Sequence, residues 1–285
     1  MLPLFRLLSH LPLRWLHWLG AAIGWAVFWL SPTYRRRFRE FAAQAGYRFE
    51  EVRPAVAHIG RMVGELPRLW LGPMPPVEWD GLDSLDRAYA QGRGVLLLTP
   101  HLGCFEITAQ AIAAHELASH GPLTVLYRPA RKAWIAPLVA ASRNRPGLEA
   151  VPTTLAGVRQ MIKALRQGRA VGLLPDQAPP QGLGQWAPFF GRDAYTMTLA
   201  ARLALQTGCA VRMVWGERLP AGRGYRLHCR ELQAPLPESL DAAVVSINAE
   251  IERLVRECPQ QYLWSYARYK RPRDDQAPAE GADQP

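Results

Sequence analysis

The chain has 285 residues and a formal net charge of +10, with 49% of its residues hydrophobic and 20% charged. This composition is typical of a globular protein with a sizeable core, and the positive charge predicts an acidic partner: nucleic acid, anionic lipid or an acidic protein. The four cysteines include no Cys-x-x-Cys pair. Their spacing argues against a zinc site or a disulfide framework and favours a reducing compartment.

An apolar stretch near the N-terminus, residues 11–30, predicts a membrane anchor. As a helix its 20 residues would span about 30 Å, the thickness of the hydrocarbon layer of a bilayer. Arg14 and His17 lie in its first two turns, where their polar ends would reach the headgroups. Arginines at positions 35, 36, 37 and 39 follow the stretch and predict that the bulk of the protein is cytoplasmic. We therefore predict a membrane-anchoring helix within residues 1–32, with a buried core helix as the alternative.

Residues 33–78 are predicted to form an amphipathic helical segment, with arginines on one face and apolar side chains on the other. The proline-rich GPMPPVEW, residues 72–79, breaks the helical pattern and marks the boundary of the main domain. That domain is predicted to occupy residues 79–272. It is followed by a polar, proline-rich tail, residues 273–285, which is predicted to be disordered.

Within the main domain, short apolar runs alternate with helical stretches. The predicted strands are 95–99, 123–127, 170–174 and 210–215, and the predicted helices are 104–118, 196–207, 239–257 and one that begins after Thr153 or Thr154 and stops at Gly168. Strands that alternate with helices predict an α/β fold, with a mainly parallel central sheet flanked by helices.

Three of the predicted strands are followed by suggestive polar residues. His101 follows the first strand, Arg128 the second and Asp176 the third. Ligands of such sheets bind beyond the carboxyl ends of the strands. We therefore expect these three residues to contribute to one binding site.

His101 and Glu106 are predicted to act as a pair. Gly103 allows a sharp turn into a helix, and Glu106 then falls in the first helical turn, where the helix dipole favours a carboxylate. A carboxylate on one ring nitrogen fixes the tautomer and leaves the other nitrogen as a general base. The spacing alone is weak evidence, because a plain strand–turn–helix with a histidine satisfied by the backbone gives the same pattern.

The sequence offers this base no internal nucleophile of a familiar type. It contains no Gly-x-Ser-x-Gly elbow, His-Glu-x-x-His motif, P-loop or Gly-x-Gly-x-x-Gly run. A base without an internal nucleophile activates water or a substrate hydroxyl. Near a membrane, the natural electrophile for that oxygen is an activated acyl group.

Four segments together resemble a known family. They are TPHLGCFE (99–106), LYRP (126–129), LLPDQ (173–177) followed by PFFG (188–191), and QYLWSYARYKRP (261–272). The combination is similar to the lipid A biosynthesis acyltransferases, the secondary or late acyltransferases of Gram-negative inner membranes. They are a branch of the lysophospholipid acyltransferase group, which carries a His-x4-Asp/Glu motif. The resemblance extends from the N-terminal stretch to about Pro272.

This resemblance implies a mechanism. His101, held by Glu106, would deprotonate a hydroxyl of the acceptor lipid, and the oxygen would attack the thioester of an acyl chain on acyl carrier protein. Arg128 matches the family's arginine that stabilises the oxyanion. Asp176 matches the aspartate of the family's Pro-Asp-Gln segment, where it would organise the loop through Gln177 or hold Arg128. No metal and no other cofactor is expected, because a thioester is already activated.

The resemblance also implies partners and a location. Acyl carrier protein is acidic and lipid A precursors carry phosphates, which would explain the positive charge. Arg268 and Lys270 would meet either partner, with a plain basic surface as the alternative. The expected location is the bacterial inner membrane, with the catalytic domain on its cytoplasmic side. Nucleic acid is not expected, because the arginines are dispersed rather than clustered on one element.

Cys104 and Phe105 depart from the family pattern, since members that acylate lipid A often have Asn and Trp there. This departure leaves the acceptor open, with an ornithine lipid, another glycolipid or a lysophospholipid as alternatives. A thioester hydrolase and a basic membrane-surface protein without catalysis are the alternatives from other functional classes.

Overall fold

The computed structural model describes residues 2–127 and 145–272. Arg128 and the predicted tail, residues 273–285, lie outside the described residues. The strands are β1 (Val77–Asp80), β2 (Val95–Leu98), β3 (Leu123–Tyr127), β4 (Leu148–Pro152), β5 (Ala170–Leu173), β6 (Gly184–Phe189), β7 (Arg192–Met197), β8 (Ala210–Arg218) and β9 (Tyr225–Glu231).

In the described part of the chain, seven of these strands form one sheet in the order β1-β9-β8-β2-β5-β3-β4. Strands β8, β2, β5, β3 and β4 are parallel to one another, while β9 is antiparallel to β8 and β1 follows the direction of β9. The prediction of a mainly parallel central sheet is confirmed. Strands β6 and β7 pair with each other in a separate antiparallel hairpin.

The helices are α1 (Leu2–Ser9), α2 (Leu13–Leu30), α3 (Pro32–Gln44), α4 (Phe49–Val52), α5 (Pro54–Gly64), α6 (Leu66–Leu71), α7 (Leu82–Ala90), α8 (Phe105–His120), α9 (Leu155–Arg166), α10 (Leu199–Thr207) and α11 (Leu240–Glu257). The start of α9 is set by Thr154, whose side chain accepts a hydrogen bond from the Gly157 N–H. The helix predicted over 196–207 begins only at Leu199, because its first residues belong to β7.

Helices cover both faces of the sheet, as predicted. Strand β2 is fully buried, and its side chains alternate between two hydrophobic clusters. Leu96 and Leu98 pack in the larger cluster with residues of α9, α10 and α11, whereas Val95 and Leu97 pack in the other with residues of α7 and α8. The predicted domain boundaries after residues 32, 78 and 272 stay predictions.

The N-terminal apolar stretch forms α2, which packs on α5 through glycines. A β-carbon at Gly24 would collide with the carbonyl of Val56, and one at Gly60 would collide with the carbonyl of Gly20, so the two backbones are in close contact. Among residues 2–127 and 145–272, no helix has the length and apolar character needed to cross a membrane. The predicted transmembrane anchor is therefore not supported.

A buried ion-pair network joins these N-terminal helices to the sheet. Glu65, between α5 and α6, accepts hydrogen bonds from Arg218 Nη2 (2.6 Å) and Nε (2.9 Å) at the end of β8. It also accepts one from Tyr225 Oη (2.9 Å) and lies 3.0 Å from Nε2 of His17 on α2. Burial raises the pKa of Glu65, but the charge of Arg218 and the bonds from His17 and Arg218 outweigh it and lower the pKa to about 2. The network thus keeps an ionised carboxylate in the interior.

Candidate active site

The loop after β2 places His101 at the carboxyl end of the sheet. Gly103 has a φ of +60° and lies against Gly216, where a β-carbon would collide with the Gly216 carbonyl. The Cys104 N–H donates to that same carbonyl (2.7 Å). The chain therefore turns sharply after His101 and enters α8 at Phe105, as the glycine predicted.

Asp176 holds His101 at two points. Its Oδ1 lies 2.7 Å from Nδ1 of the imidazole, and its Oδ2 accepts the backbone N–H of His101 (2.8 Å). The two residues meet because β5, which precedes Asp176, is a direct neighbour of β2. This contact was missed in the sequence, where Asp176 was expected to hold Arg128 or to act through Gln177.

The electrostatics of this pair favour an ionised Asp176. Burial raises the pKa of the Asp176 carboxyl, but the charge of His101 and the hydrogen bonds from its ring and backbone outweigh burial, so the pKa lies below its usual value. An ionised Asp176 accepts the Nδ1 proton of His101. The lone pair of a neutral imidazole then resides on Nε2.

Gln177 lies next to that second nitrogen. Its Nε2 is 3.1 Å from Nε2 of His101, and the His101 side chain keeps an exposed fraction of 12%. The ring of Phe105 packs against the imidazole with centroids 4.9 Å apart. His101 is thus held by Asp176, Gln177 and Phe105, and the Gln177 amide is the hydrogen-bond partner of its Nε2.

Glu106 lies in the first turn of α8, as predicted, and it is buried. Its Oε2 accepts a hydrogen bond from Trp70 Nε1 (3.1 Å) on α6. The carboxylate that hydrogen-bonds Nδ1 of His101 is that of Asp176. The orientation of His101 by Glu106 stays a prediction.

The C-terminal segment contacts both Asp176 and His101. The Tyr262 hydroxyl donates to Asp176 Oδ2 (3.3 Å), and the Leu263 N–H donates to the backbone carbonyl of His101 (3.1 Å). Burial, and then the charge of Asp176, raises the pKa of Tyr262 well above its usual value, so its hydroxyl remains a donor. The sequence assigned Tyr262 no role. The only indication of a role for Tyr262 was its position in the QYLWSYARYKRP segment.

Arg268 and Lys270 occupy different environments. Arg268 is 1% exposed, and its Nη1 and Nη2 donate to Tyr195 O and Thr196 Oγ1, each at 2.7 Å. The prediction that Arg268 meets a partner directly is therefore wrong, because the hairpin β6–β7 buries its guanidinium. Lys270 is exposed, with its Nζ 5.0 Å from the centroid of the Tyr266 ring. Its contact with a partner stays a prediction.

A small cavity of about 50 Å³ lies beside Glu106, between α8 and strands β2 and β3. Leu97, Phe105, Ile112 and Val125 contribute to its mainly apolar lining.

One group among the described residues has metal-ligand spacing. The ligand atoms of Asp86, His115 and Glu116 lie within 4.8 Å of one another. Because His115 and Glu116 are in the last turns of α8, this group is at the opposite end of that helix from Glu106. The expectation that the reaction needs no metal or other cofactor stays untested.

Comparison with known proteins identifies the family of this chain. Residues 55–271 match the family described as bacterial lipid A biosynthesis acyltransferase. The lipid A biosynthesis palmitoleoyltransferase of Escherichia coli strain K12 is 26% identical over 291 aligned positions, covering 91% of this chain and 92% of that protein. The lauroyltransferase of the same strain is 25% identical and covers 94% of this chain and 96% of that protein. The chain is thus an acyl-transferring enzyme and belongs to the bacterial lipid A biosynthesis acyltransferase family.

Proposed function

We propose that this enzyme transfers a fatty acyl chain from acyl carrier protein to a hydroxyl of a lipid A precursor, with His101 as general base. The observation that carries this proposal is the geometry of the imidazole, which has Asp176 on Nδ1 and leaves Nε2 facing Gln177. The names of the relatives, which are lipid A palmitoleoyl- and lauroyltransferases, support the class of acceptor.

In the proposed reaction Nε2 of His101 removes the proton of the acceptor hydroxyl. The oxygen attacks the carbonyl carbon of the thioester, a tetrahedral oxyanion forms, and the carbon–sulfur bond then breaks. The proton held by His101 passes to the departing thiolate, so that the base is regenerated. Asp176 stabilises the imidazolium that exists between these two proton transfers. No cofactor is required, because the thioester supplies the activated acyl group.

Three further residues complete the proposed site. Arg128 stabilises the oxyanion of the tetrahedral intermediate. The amide N–H of Gln177 donates to the lone pair of Nε2 (3.1 Å), and the acceptor hydroxyl displaces it when the substrate binds. Glu106 acts as a second carboxylate that orients His101 from the first turn of α8, where its own bond to Trp70 fixes it.

The proposed partners follow from charge and exposure. Acyl carrier protein is acidic, and a chain with a net charge of +10 attracts it. Lys270 is proposed to contact either this donor or a phosphate of the acceptor. Both roles require an exposed cation, which Lys270 provides.

The proposed location is the cytoplasmic side of the bacterial inner membrane. Helix α2 exposes several large apolar side chains on the face turned away from α5. They are Trp15 (55% exposed), Trp18 (69%), Ile23 (44%), Trp29 (65%) and Leu30 (83%). Tryptophans on an amphipathic helix favour the boundary between headgroups and acyl chains, so α2 is proposed to lie in that boundary.

A different acceptor lipid is the alternative that a specific observation favours. Cys104 and Phe105 replace the residues that lipid A acyltransferases often have, and Phe105 packs directly on the base. A bilayer lipid such as an ornithine lipid, another glycolipid or a lysophospholipid would meet the same His101. The thioester hydrolase remains the weaker reading, because the family acts on lipid acceptors.

Mass spectrometry of total lipids from cells that lack the protein tests the acceptor. Lipid A that has lost one acyl chain, restored by the wild-type gene and not by a His101→Ala gene, supports the proposal. Unchanged lipid A together with an altered aminolipid or phospholipid would replace it by the alternative acceptor.

A further inference from the structure

A second cavity lies away from the base, at the junction between the N-terminal helices and the sheet. Its volume is about 480 Å³, and it is bounded by α2, α5 and the turn that follows β8. Its lining includes Arg14, Trp18, His58, Arg61, Glu217 and Arg218. Three of these six side chains are arginines, which gives the cavity a basic wall.

The acidic groups near this wall are already engaged. Glu65 is held by Arg218, Tyr225 and His17. Glu217 Oε2 lies 2.9 Å from Nε2 of His228 on β9. Within residues 2–127 and 145–272, neither Arg14 nor Arg61 forms an ion pair with an acidic side chain. The cavity therefore carries an excess of positive charge.

Two buried nitrogen atoms at this cavity have no hydrogen-bond partner among the described residues. Arg218 uses Nε and Nη2 to hold Glu65, and its Nη1 is buried and unsatisfied. Nδ1 of His58 is also buried and unsatisfied, while its Nε2 lies 3.0 Å from Nη1 of Arg61. Unsatisfied buried donors are rare, so each one requires an explanation.

The ionisation of His58 reflects its burial and, second to that, the two neighbouring arginines. Burial, followed by the charges of Arg218 and Arg61, lowers the pKa of His58 to about 2. His58 is therefore neutral at pH 7. An anion in the cavity would oppose the repulsion from the two arginines.

We propose that this cavity binds a phosphate group through Arg14 and Arg61, with the buried guanidinium of Arg218 adding positive charge behind them. The guanidinium group suits phosphate oxygens because its planar N–H groups form charge-assisted, paired hydrogen bonds. Trp18, which is 69% exposed, stands at the edge of the cavity on the apolar side of α2. The phosphate comes either from a lipid headgroup beside that helix or from free phosphate, and the assignment to a lipid rests on the proposed function.

Calorimetric titration of the full chain with inorganic phosphate, at constant ionic strength, tests the site. The variant is Arg14→Gln/Arg61→Gln, since both arginines are free of ion pairs. Arg218 is left unchanged because its loss would leave the buried charge of Glu65 without its main partner. The matched control is Arg159→Gln/Arg166→Gln, which removes two exposed charges from α9. We expect the wild type to bind phosphate saturably. Arg14→Gln/Arg61→Gln should weaken this binding at least about tenfold, because charge-assisted hydrogen bonds are lost. Arg159→Gln/Arg166→Gln should leave it unchanged.

Vesicle binding separates the two sources of phosphate. Phosphatidylcholine vesicles containing phosphatidic acid are compared with vesicles of equal surface charge containing phosphatidylserine. A preference for phosphatidic acid that Arg14→Gln/Arg61→Gln abolishes assigns the site to a lipid headgroup, and phosphate binding without that preference assigns it to free phosphate.

Two results would overturn the site: no saturable phosphate binding and no vesicle preference in the wild type, or equal weakening by both double variants. His101→Ala is expected to bind phosphate normally. A failure of the proposed catalysis is thereby distinguished from a failure of this site.

Discussion

His101 and Asp176 are the two residues on which the proposed chemistry depends most. The 2.7 Å contact between Nδ1 and Oδ1 fixes the tautomer, and the bond from Oδ2 to the His101 N–H fixes the loop that carries the ring. Orientation of a histidine by a buried carboxylate matters because the wrong tautomer presents N–H, rather than a lone pair, to the substrate.

Asp176→Asn is predicted to leave the fold intact and to lower the rate of acyl transfer about 10³-fold or more, by favouring the wrong tautomer. Glu106→Gln keeps an oxygen for Trp70 Nε1 and removes the charge of the carboxylate. A loss of at least about tenfold is expected if Glu106 also orients the base. Single-turnover rates across a pH series separate the two effects, with circular dichroism to check folding. Near-normal transfer by Asp176→Asn would exclude it as the orienting residue.

At the residue scale, the sequence predicted which side chains lie at the site, but it did not predict which of them contact each other. His101 and Asp176 were both placed at strand ends because each follows an apolar run. Their contact was not predictable, because it depends on β5 lying beside β2. The order of strands in the sheet differs from their order along the chain. Arg268 was misjudged for a related reason: the residues that bury it, Tyr195 and Thr196, come from a distant hairpin.

At the scale of secondary structure, the junction between α2, α5 and β8 depends on one buried carboxylate. Arg218 and Glu65 each keep only 1% of their side-chain surface exposed, so neither charge is stabilised by water. Removal of one partner leaves the other charge buried without compensation, which is strongly destabilising.

Glu65→Gln is predicted to lower the free energy of unfolding by about 3–5 kcal/mol near pH 7. Because folding lowers the pKa of Glu65 from 4.5 to about 2, the stabilisation is complete above pH 4.5 and is lost as the pH falls toward 2. Urea unfolding from about pH 7 to about pH 3 measures the difference between variant and wild type, which should shrink with acidification.

The matched control is Glu78→Gln, whose pair with Arg226 is roughly half exposed. It is expected to change the stability far less than Glu65→Gln does, because water screens an exposed pair. If Glu65→Gln cost no more than this control, the network would not be what joins the N-terminal helices to the sheet.

The strands that the sequence predicted are those with continuous apolar runs. β2, β3, β5 and β8 lie inside the sheet, and strands that are buried on both faces appear in the sequence as continuous apolar runs. β1, β4, β6, β7 and β9 were not predicted. β1 and β4 are short edge strands with half-exposed residues, β6 and β7 form a separate hairpin of mixed exposure, and β9 interleaves polar residues. The periodicity of α2 predicted a helix correctly but not its partner, because glycine contacts with α5 leave no signal in hydropathy.

For the whole molecule, the exposed side of α2 decides how the enzyme would meet its lipid substrate. Trp29→Ser/Leu30→Ser is predicted to weaken binding to anionic vesicles at least about tenfold, since each large apolar side chain contributes about 1.5–3 kcal/mol when it leaves water. Leu155→Ser/Leu183→Ser is the control, because these residues are 79% and 60% exposed but lie elsewhere. Co-sedimentation measures both, and equal losses would contradict membrane binding through α2.

Acyl transfer by the purified protein, from acyl carrier protein to a lipid A precursor, tests both the base and the acceptor. The wild type should yield a product heavier by one acyl chain, and His101→Ala, shown to be folded, should lower the rate by about 10³-fold or more. Near-normal transfer by His101→Ala would contradict the assignment of His101 as the base. A wild-type enzyme that acylates other lipids but not the precursor would contradict the proposed acceptor.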